Sequence, residues 1–361
     1  MKKLLFVLLF IIGFAISVGL GEKKSTKTEP VIVPTAASQT TLGPRSTSVF
    51  FPYWTIKDSE ATAFTPKDSN REVDTAIYFG VEAQAAGINE NEAGFESIGD
   101  FKSLTAQIPH HVLTIRMVND EINSSVLEST SRQEKIINEA LNTATKHGFD
   151  GILLDLEVGG LASTKLNTQI VSFTKLASEL VRANGLTFDM TLYGDSFYRA
   201  RPYSIDALSP FVDHFYVLAY DLHKLWGTPG PNFPMEGKDT FGYDMGTMVE
   251  DMSKFTSTDK LVVVFGLYGH DWIVDEKKRP LTSATTLTFS QIKEKFLDSC
   301  AWKNCLVKRD ERAGELEINY IDEKLQYHIA WVEDTESVVR KIGFLKERGI
   351  NAISFWAFGY Y

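Results

Sequence analysis

The stretch Gly148-Phe149-Asp150-Gly151-Ile152-Leu153-Leu154-Asp155-Leu156-Glu157 reads as one β-strand with two unlike faces. Side chains alternate along a strand, so Gly151, Leu153, Asp155 and Glu157 share one side and Ile152, Leu154 and Leu156 take the other. The wholly apolar side suits a layer of helices. The opposite side must turn its carboxylates toward an interior, and Asp155 and Glu157 come last, at the strand's C-terminal end. That end is where α/β barrels build their active sites. Two carboxylates about 6 to 7 Å apart along the backbone in a partly buried mouth repel each other and raise at least one pKa, which allows a general acid to work near neutral pH. An ion-paired acidic rim is the other reading of the same spacing.

On either side of this strand, short apolar and β-branched runs alternate with longer segments of helical period. Strands are predicted at 48–53, 75–79, 112–118, 151–157, 186–192, 214–220, 261–267 and 352–356. Amphipathic helices are predicted at 132–146, 166–183, 245–255 and 335–347, each with apolar residues three or four apart. Eight strands alternating with helices are the arithmetic of a (β/α)8 TIM barrel, an α/β fold. The unit after the first strand is short and weakly helical, so a doubly wound open sheet stays open on pattern alone. Residues 272–331 exceed a normal barrel connection. They carry a helical stretch at 290–297 and strand-like segments at 316–320 and 326–331, and are expected to form a small α+β insertion on the top face of a barrel domain spanning 47–361.

Ahead of the barrel, Lys2 and Lys3 precede the uncharged run Leu4 to Leu20. This run is longer than a usual signal-peptide core and at the short end for a membrane span. Residues 1–21 are therefore expected to be a signal peptide or an N-terminal membrane anchor, and 22–46, rich in Lys, Ser, Thr and Pro, a flexible tether. Either reading places the barrel outside the cytoplasm, anchored or secreted. Cys300 and Cys305, in Cys-Ala-Trp-Lys-Asn-Cys, then sit in an oxidising compartment, as a local disulfide or as two free thiols.

Composition excludes several classes. With 361 residues, 43% hydrophobic and 23% charged, the chain is neither disordered nor collagen-like. Its 37 basic and 47 acidic residues leave a net charge of −10 and no long basic run, so nucleic acid is not an expected partner. The seven histidines show no metal-ligand spacing and no glycine-rich phosphate loop follows a strand. Neither a metal nor a cofactor is expected.

The run Asp150-Gly151-Ile152-Leu153-Leu154-Asp155-Leu156-Glu157 resembles the DGxDxDxE signature of glycoside hydrolase family 18, which includes the chitinases. Three further matches follow in chain order. Leu218-Ala219-Tyr220-Asp221 resembles the family's Met-x-Tyr-Asp, Tyr268-Gly269-His270-Asp271-Trp272 its Tyr-Gly-x-x-Trp, and Trp356 its strand-eight tryptophan. The stretch from Tyr327 to Asp334, with Ser337 and Lys341, is most similar to the bacterial spore-cortex and germination branch. The resemblance implies substrate-assisted hydrolysis of β-1,4-linked N-acetylglucosamine glycans, such as peptidoglycan or chitin, an exception to the two-carboxylate scheme.

In that chemistry the sugar's own 2-acetamido oxygen attacks the anomeric carbon. Glu157 is implied as the general acid and base, Asp155 as the group orienting the acetamido N–H, and Tyr220 as a donor to the acetamido oxygen. Trp356 is implied as the apolar floor under the sugar, and Asp221 and Tyr268 as site residues. Asp150 and Gly151 open the motif and are given structural roles. Trp54 and Trp272 are candidates for stacking on sugar rings or for capping the barrel.

Two departures from the signature stand out. Leu153 replaces its inner acidic residue, and Thr114-Ile115-Arg116-Met117 stands where many chitinases carry Ser-x-Gly-Gly. Without an inner carboxylate, Asp155 is expected to ionise more readily. Arg116, taken as a substrate-binding residue, is expected to reach inward to an acidic partner or to sit on the rim. The rival functions are a lectin-like barrel that grips N-acetylated glycans with little or no cleavage, and a structural barrel that docks other envelope proteins.

Overall fold

The computed structural model describes residues 46–57, 72–159 and 162–360. The expected signal or anchor at 1–21 and nearly all of the tether lie outside the described residues. Along the chain the strands are β1 Thr47–Pro52, β2 Thr75–Gln84, β3 His110–Met117, β4 Gly151–Leu156, β5 Thr187–Tyr193, β6 Phe215–Ala219, β7 Leu261–Gly266, β8 Tyr268–Val274, β9 Thr285–Thr288, β10 Lys303–Arg309, β11 Leu316–Ile321, β12 Tyr327–Val332 and β13 Ala352–Trp356. A two-residue return strand, Gly87–Ile88, folds back on β2. Strands β1 to β7 pair in parallel in sequence order, and β13 joins β7 to β1. Because β1 pairs with both β2 and β13, the sheet closes into a (β/α)8 TIM barrel, and the open doubly wound sheet is excluded.

The two faces of β4 explain its place. Ile152, Leu154 and Leu156 lie in the core between strands and helices, whereas Leu153 lies inside the barrel with Phe50, Ile77, Val112, Tyr216 and Val264. Full burial of one such aliphatic side chain contributes about 1.5–3 kcal/mol. The helix before β4, Thr130–His147 (α1), starts on Ser129, whose hydroxyl accepts from Arg132 N–H, and buries Ile136, Ile137, Ala140 and Ala144. It ends on Gly148 at φ 64°, a left-handed conformation that glycine adopts at little cost and that turns the chain into β4. At the strand's foot Asp150 accepts from His111 N–H at 2.8 Å, tying β4 to β3. A side chain at Gly151 would collide with Thr187 of β5. Asp150 and Gly151 thus hold the lower end of the strand whose upper end carries the carboxylates.

The segment after β7 forms a five-stranded antiparallel sheet of order β9-β8-β12-β11-β10. It begins at Tyr268, ahead of the bound at 272 expected from sequence. The Tyr-Gly-x-x-Trp segment forms its strand β8. One face packs Ile318, Ala330 and Val332 beneath Ile292 and Phe296 of the helical stretch 289–297. The other buries Trp272, Ile329 and Trp331 against Leu225 and Phe241. Cys300 and Cys305 form a disulfide beside the first face, and the two-thiol reading falls away.

The sheet is joined to helix Thr335–Lys346 (α2) by a buried ionic cluster. Lys341, fully buried, donates to Glu315 at 2.6 Å and to Glu333, both of them also fully buried. Glu315 also accepts the backbone N–H groups of Asn232 and Phe233 at 2.7 and 2.9 Å.

Candidate active site

A pocket of about 270 Å³ opens at the C-terminal end of the barrel, lined by Asp155, Glu157, Tyr220, Asp221, Tyr268 and Trp356 among others. Its position follows from the strands: Asp155 and Tyr193 stand among the last residues of β4 and β5, Tyr220 one residue past β6 and Trp356 at the end of β13. The structure brings together residues that four separate motifs supplied.

Asp155 is almost fully buried. Its Oδ1 accepts from Thr191 Oγ1 at 2.6 Å, while Oδ2 has no partner among the described residues. Burial and the neighbouring Glu157 charge push its carboxyl up to about 7, against the smaller opposing effects of the Thr191 hydrogen bond and Arg116. The carboxyl thus lies above the usual carboxylate range even with no acidic residue at 153. With Leu153 in place of the inner acid, Asp155 stands over an apolar barrel interior, and desolvation is the largest cause of the rise.

Glu157 lies one residue past β4. Its Oε2 accepts from Tyr193 O–H at 2.6 Å, and its backbone is pinned on both sides, Glu157 N–H to Met117 O at 2.9 Å and Asn123 Nδ2 to Glu157 O at 2.6 Å. Tyr203 O–H donates to Leu156 O at 2.7 Å and accepts from Val158 N–H. Arg201, held by Asp195, covers the Tyr193 ring with 3.6 Å from guanidinium carbon to ring centre. Burial, then the Glu157 charge, keeps the Tyr193 hydroxyl protonated well above its ordinary range, so it remains a donor. Thr191, Tyr193 and Tyr203 escaped the sequence reading. Alternation in 187–193 puts Asp189, Thr191 and Tyr193 on one face, but the strand was predicted to stop at 192.

Tyr220 is flanked by Tyr268 and Trp356, with ring centres at 6.0 and 6.4 Å. Burial, then the charge of Asp155, pushes its hydroxyl far above the ordinary value, so Tyr220 also stays a donor. Asp221 follows at φ 55°, in a left-handed conformation costly for a residue with a side chain. Three groups hold it there: Asn232 Oδ1 accepts its N–H at 2.7 Å, and its Oδ1 accepts from Tyr268 O–H at 2.7 Å and His270 Nε2 at 3.0 Å. Burial opposes its charge, yet the His270 and Tyr268 hydrogen bonds outweigh burial and keep Asp221 below the usual carboxylate range. Asn232 also donates to Gly266 O at 3.1 Å and links the site to Glu315 of the ionic cluster.

Trp356 forms the apolar wall, edge-on to Phe79 at 4.8 Å, with Trp54 at 6.3 Å. Trp54 is half-buried at the mouth, in the short helix after β1. Trp272 is not part of the site. It is fully buried between the added sheet and the loops beneath it, so no ring face is left for a sugar. Nor does Arg116 reach an acidic partner. It forms no ion pair among the described residues and lies instead over the rings of Phe79, Trp54 and Tyr53 at 5.1, 5.9 and 5.8 Å.

Residues 46–360 match the profile of Glycosyl hydrolases family 18. The chain is 25% identical over 295 residues to the cortical fragment-lytic enzyme of Bacillus anthracis, covering 78% of this chain and 64% of that protein. The corresponding Bacillus subtilis enzyme is 24% identical over 252 residues, 67% of this chain and 54% of the other. This chain thus spans less than two thirds of the length of either relative. The fold matches the crystal structure of the Bacillus cereus spore cortex-lytic enzyme SleL with a TM-score of 0.70 at 21% identity, over 88% of this chain and 71% of the other. It matches a class V chitinase from Nicotiana tobaccum with a TM-score of 0.75 at 13% identity, over 87% and 94%.

Proposed function

The chain belongs to family 18 of the glycosyl hydrolases, and from that premise we propose that it is an exported hydrolase of β-1,4-linked glycans containing N-acetylglucosamine, acting by substrate-assisted retention. The observation that carries this reading is the grouping of Asp155, Glu157 and Tyr220 around one pocket with Trp356 as its apolar wall. Glu157 protonates the glycosidic oxygen as the bond to the anomeric carbon breaks, and the 2-acetamido oxygen attacks that carbon to give an oxazolinium ion. The free Oδ2 of Asp155 accepts the acetamido N–H and stabilises the positive charge that develops there. Tyr220 O–H donates to the acetamido oxygen. Water, deprotonated by the Glu157 carboxylate, then opens the ring with net retention, and Tyr193 keeps the carboxylate aimed.

The cortical fragment-lytic relatives are named for cortex fragments and other relatives for chitin, so peptidoglycan and chitin are the candidate polymers. Export rests on the apolar run of residues 4–20. The test is mass spectrometry of products from peptidoglycan and N-acetylglucosamine oligomers, with wild type beside Glu157→Gln. Wild-type cleavage reduced by about 10² to 10⁴ in the variant is expected, the usual contribution of general acid catalysis. A fully active variant removes Glu157 as the acid. Binding without cleavage by wild type replaces the hydrolase with the lectin-like reading.

A further inference from the structure

Glu157 and Tyr220 are aimed by different means. Glu157 is held through its own side chain, by the Tyr193 hydroxyl. The Tyr220 hydroxyl has no hydrogen-bond partner among the described residues, and its ring lies between those of Tyr268 and Trp356. Where that hydroxyl points is therefore decided at the backbone, in the turn through Tyr220 and Asp221.

Asn232 holds this turn. Its Oδ1 accepts the Asp221 N–H at 2.7 Å, its Nδ2 donates to Gly266 O at 3.1 Å, and its backbone O accepts the Leu222 N–H at 2.9 Å. One residue thus ties the exit of β6 to the exit of β7 and keeps Asp221 at φ 55°. The fit is close, because a Cβ at Gly266 would lie 2.9 Å from Tyr220 Cβ and 3.1 Å from Asn232 Nδ2. Only a side-chain amide serves here, since the same group must accept from an N–H and donate to a carbonyl; an ionised carboxylate cannot donate and an aliphatic chain can do neither. Asn232 is buried and does not line the pocket. Its own N–H is fixed in turn by Glu315 at 2.7 Å, whose carboxylate stands with Lys341 where the added sheet meets α2.

We infer that Asn232 is a positioning residue for the acetamido group: it holds the Tyr220–Asp221 turn in the conformation that carries the Tyr220 hydroxyl to the acetamido oxygen, and so acts on formation of the oxazolinium ion without touching the sugar. This inference rests on the proposed glycan hydrolase reading. It adds a route, through Glu315, by which the seating of the added sheet reaches the reacting group.

The experiment is a double-mutant cycle on the full-length protein between Asn232→Ala and Tyr220→Phe. It is read by hydrolysis of N-acetylglucosamine oligomers and peptidoglycan oligosaccharides, and by titration calorimetry with a stable aminooxazoline analogue of the oxazolinium ion. Asn232→Ala is expected to lower kcat by about 10- to 100-fold, as a displacement of about 1 Å does, with KM within about twofold, and to weaken the analogue by a similar factor. In the Tyr220→Phe background the same substitution should change either quantity by less than about twofold, because the hydroxyl it aims is gone. An asparagine that only supports the fold would lower both backgrounds alike. Full additivity in variants shown by circular dichroism to be folded therefore overturns the inference, as does a change confined to KM. Asn232→Ser, in which a water can bridge the shorter hydroxyl to Asp221, should keep more of kcat and carries the cycle if the alanine variant does not fold. Cleavage by wild type and Asn232→Ala alike overturns the inference and leaves the hydrolase standing. A wild type that binds the analogue without cleaving sinks the hydrolase and leaves the aim of Tyr220 to be read from the analogue's affinity across the cycle, whereas one that does neither overturns both.

Discussion

Asp155 and Glu157 stand at the open end of the barrel, and Glu315 and Glu333 stand where the added sheet meets its last helix. Both pairs are carboxylates close together in a protein interior, and in both burial lifts one carboxyl, Asp155 to about 7 and Glu333 to about 8. The difference lies in what else is present. Lys341 enters the second cluster with an ammonium that binds both carboxylates, and the two carboxylates outweigh burial to keep it protonated. Among the described residues no cation pairs with Asp155 or Glu157 and one Asp155 oxygen is without a partner, and a pocket opens beside them. A perturbed pKa alone therefore does not distinguish a catalytic cluster from a structural one; the unsatisfied oxygen and the access do.

The largest expected effect breaks the structural member of this comparison. Lys341→Met leaves two buried carboxylates unpaired and should cost about 3–5 kcal/mol of stability, read as a lowered urea midpoint. The loss should shrink as pH falls, because the unpaired carboxylates take up protons in the folded state that the unfolded chain binds only at lower pH. Adding Glu315→Gln and Glu333→Gln should recover part of it at neutral pH. A variant as stable as wild type would show that the cluster does not hold the sheet to the barrel.

A smaller effect sharpens the catalytic member. Tyr193→Phe removes the hydroxyl that aims Glu157 while leaving a ring for Arg201 to cover. The expectation is a fall of about tenfold in kcat, the equivalent of about 1.4 kcal/mol, with KM nearly unchanged. Substrate then binds as before and protonation of the leaving oxygen is what suffers. A change confined to KM would move Tyr193 from positioning the acid to contacting the sugar.

Much of this arrangement was legible because it is local. The alternation in 151–157 put Asp155 and Glu157 on the inner face, and the eight apolar runs located all eight barrel strands within a few residues, since period and burial are written in neighbouring residues. Features set by distant register were not. Trp272 has the same local signal whether it stacks on a sugar or fills a core, and only the pairing of β8 with β12 decides between them. Asn232 lies in an irregular loop with no periodicity, and its hold on Asp221 exists only in the folded chain. The raised pKa of Asp155 was not legible for a related reason. The sequence records which carboxylate is missing at 153, but the dielectric of the space left behind depends on everything that packs there.

That space gives the finest test of the comparison. Leu153 packs among Phe50, Ile77 and Val264 directly below Asp155, and Leu153→Asn would place a side-chain amide of similar length there. Its N–H can donate to the unpartnered Oδ2, and a hydrogen bond to the charged form lowers a carboxyl's pKa. Asp155 must be ionised to stabilise the positive charge that develops on the acetamido group, so with its pKa at about 7 the kcat/KM of wild type should rise through about pH 7 on the acid side. In Leu153→Asn that limb should move down by about half a pH unit. The stability linkage has its own sign. Between the ordinary 3.8 and about 7, folded Asp155 keeps a proton that the unfolded chain has released, so its contribution weighs against folding increasingly as pH rises across that window. The variant should narrow the window from its upper end even while losing packing energy. An acid limb that stays at wild-type pH in the folded variant would show that burial, rather than the missing donor, sets Asp155, and would leave the lysine of the second cluster as the sole reason the two pairs behave differently.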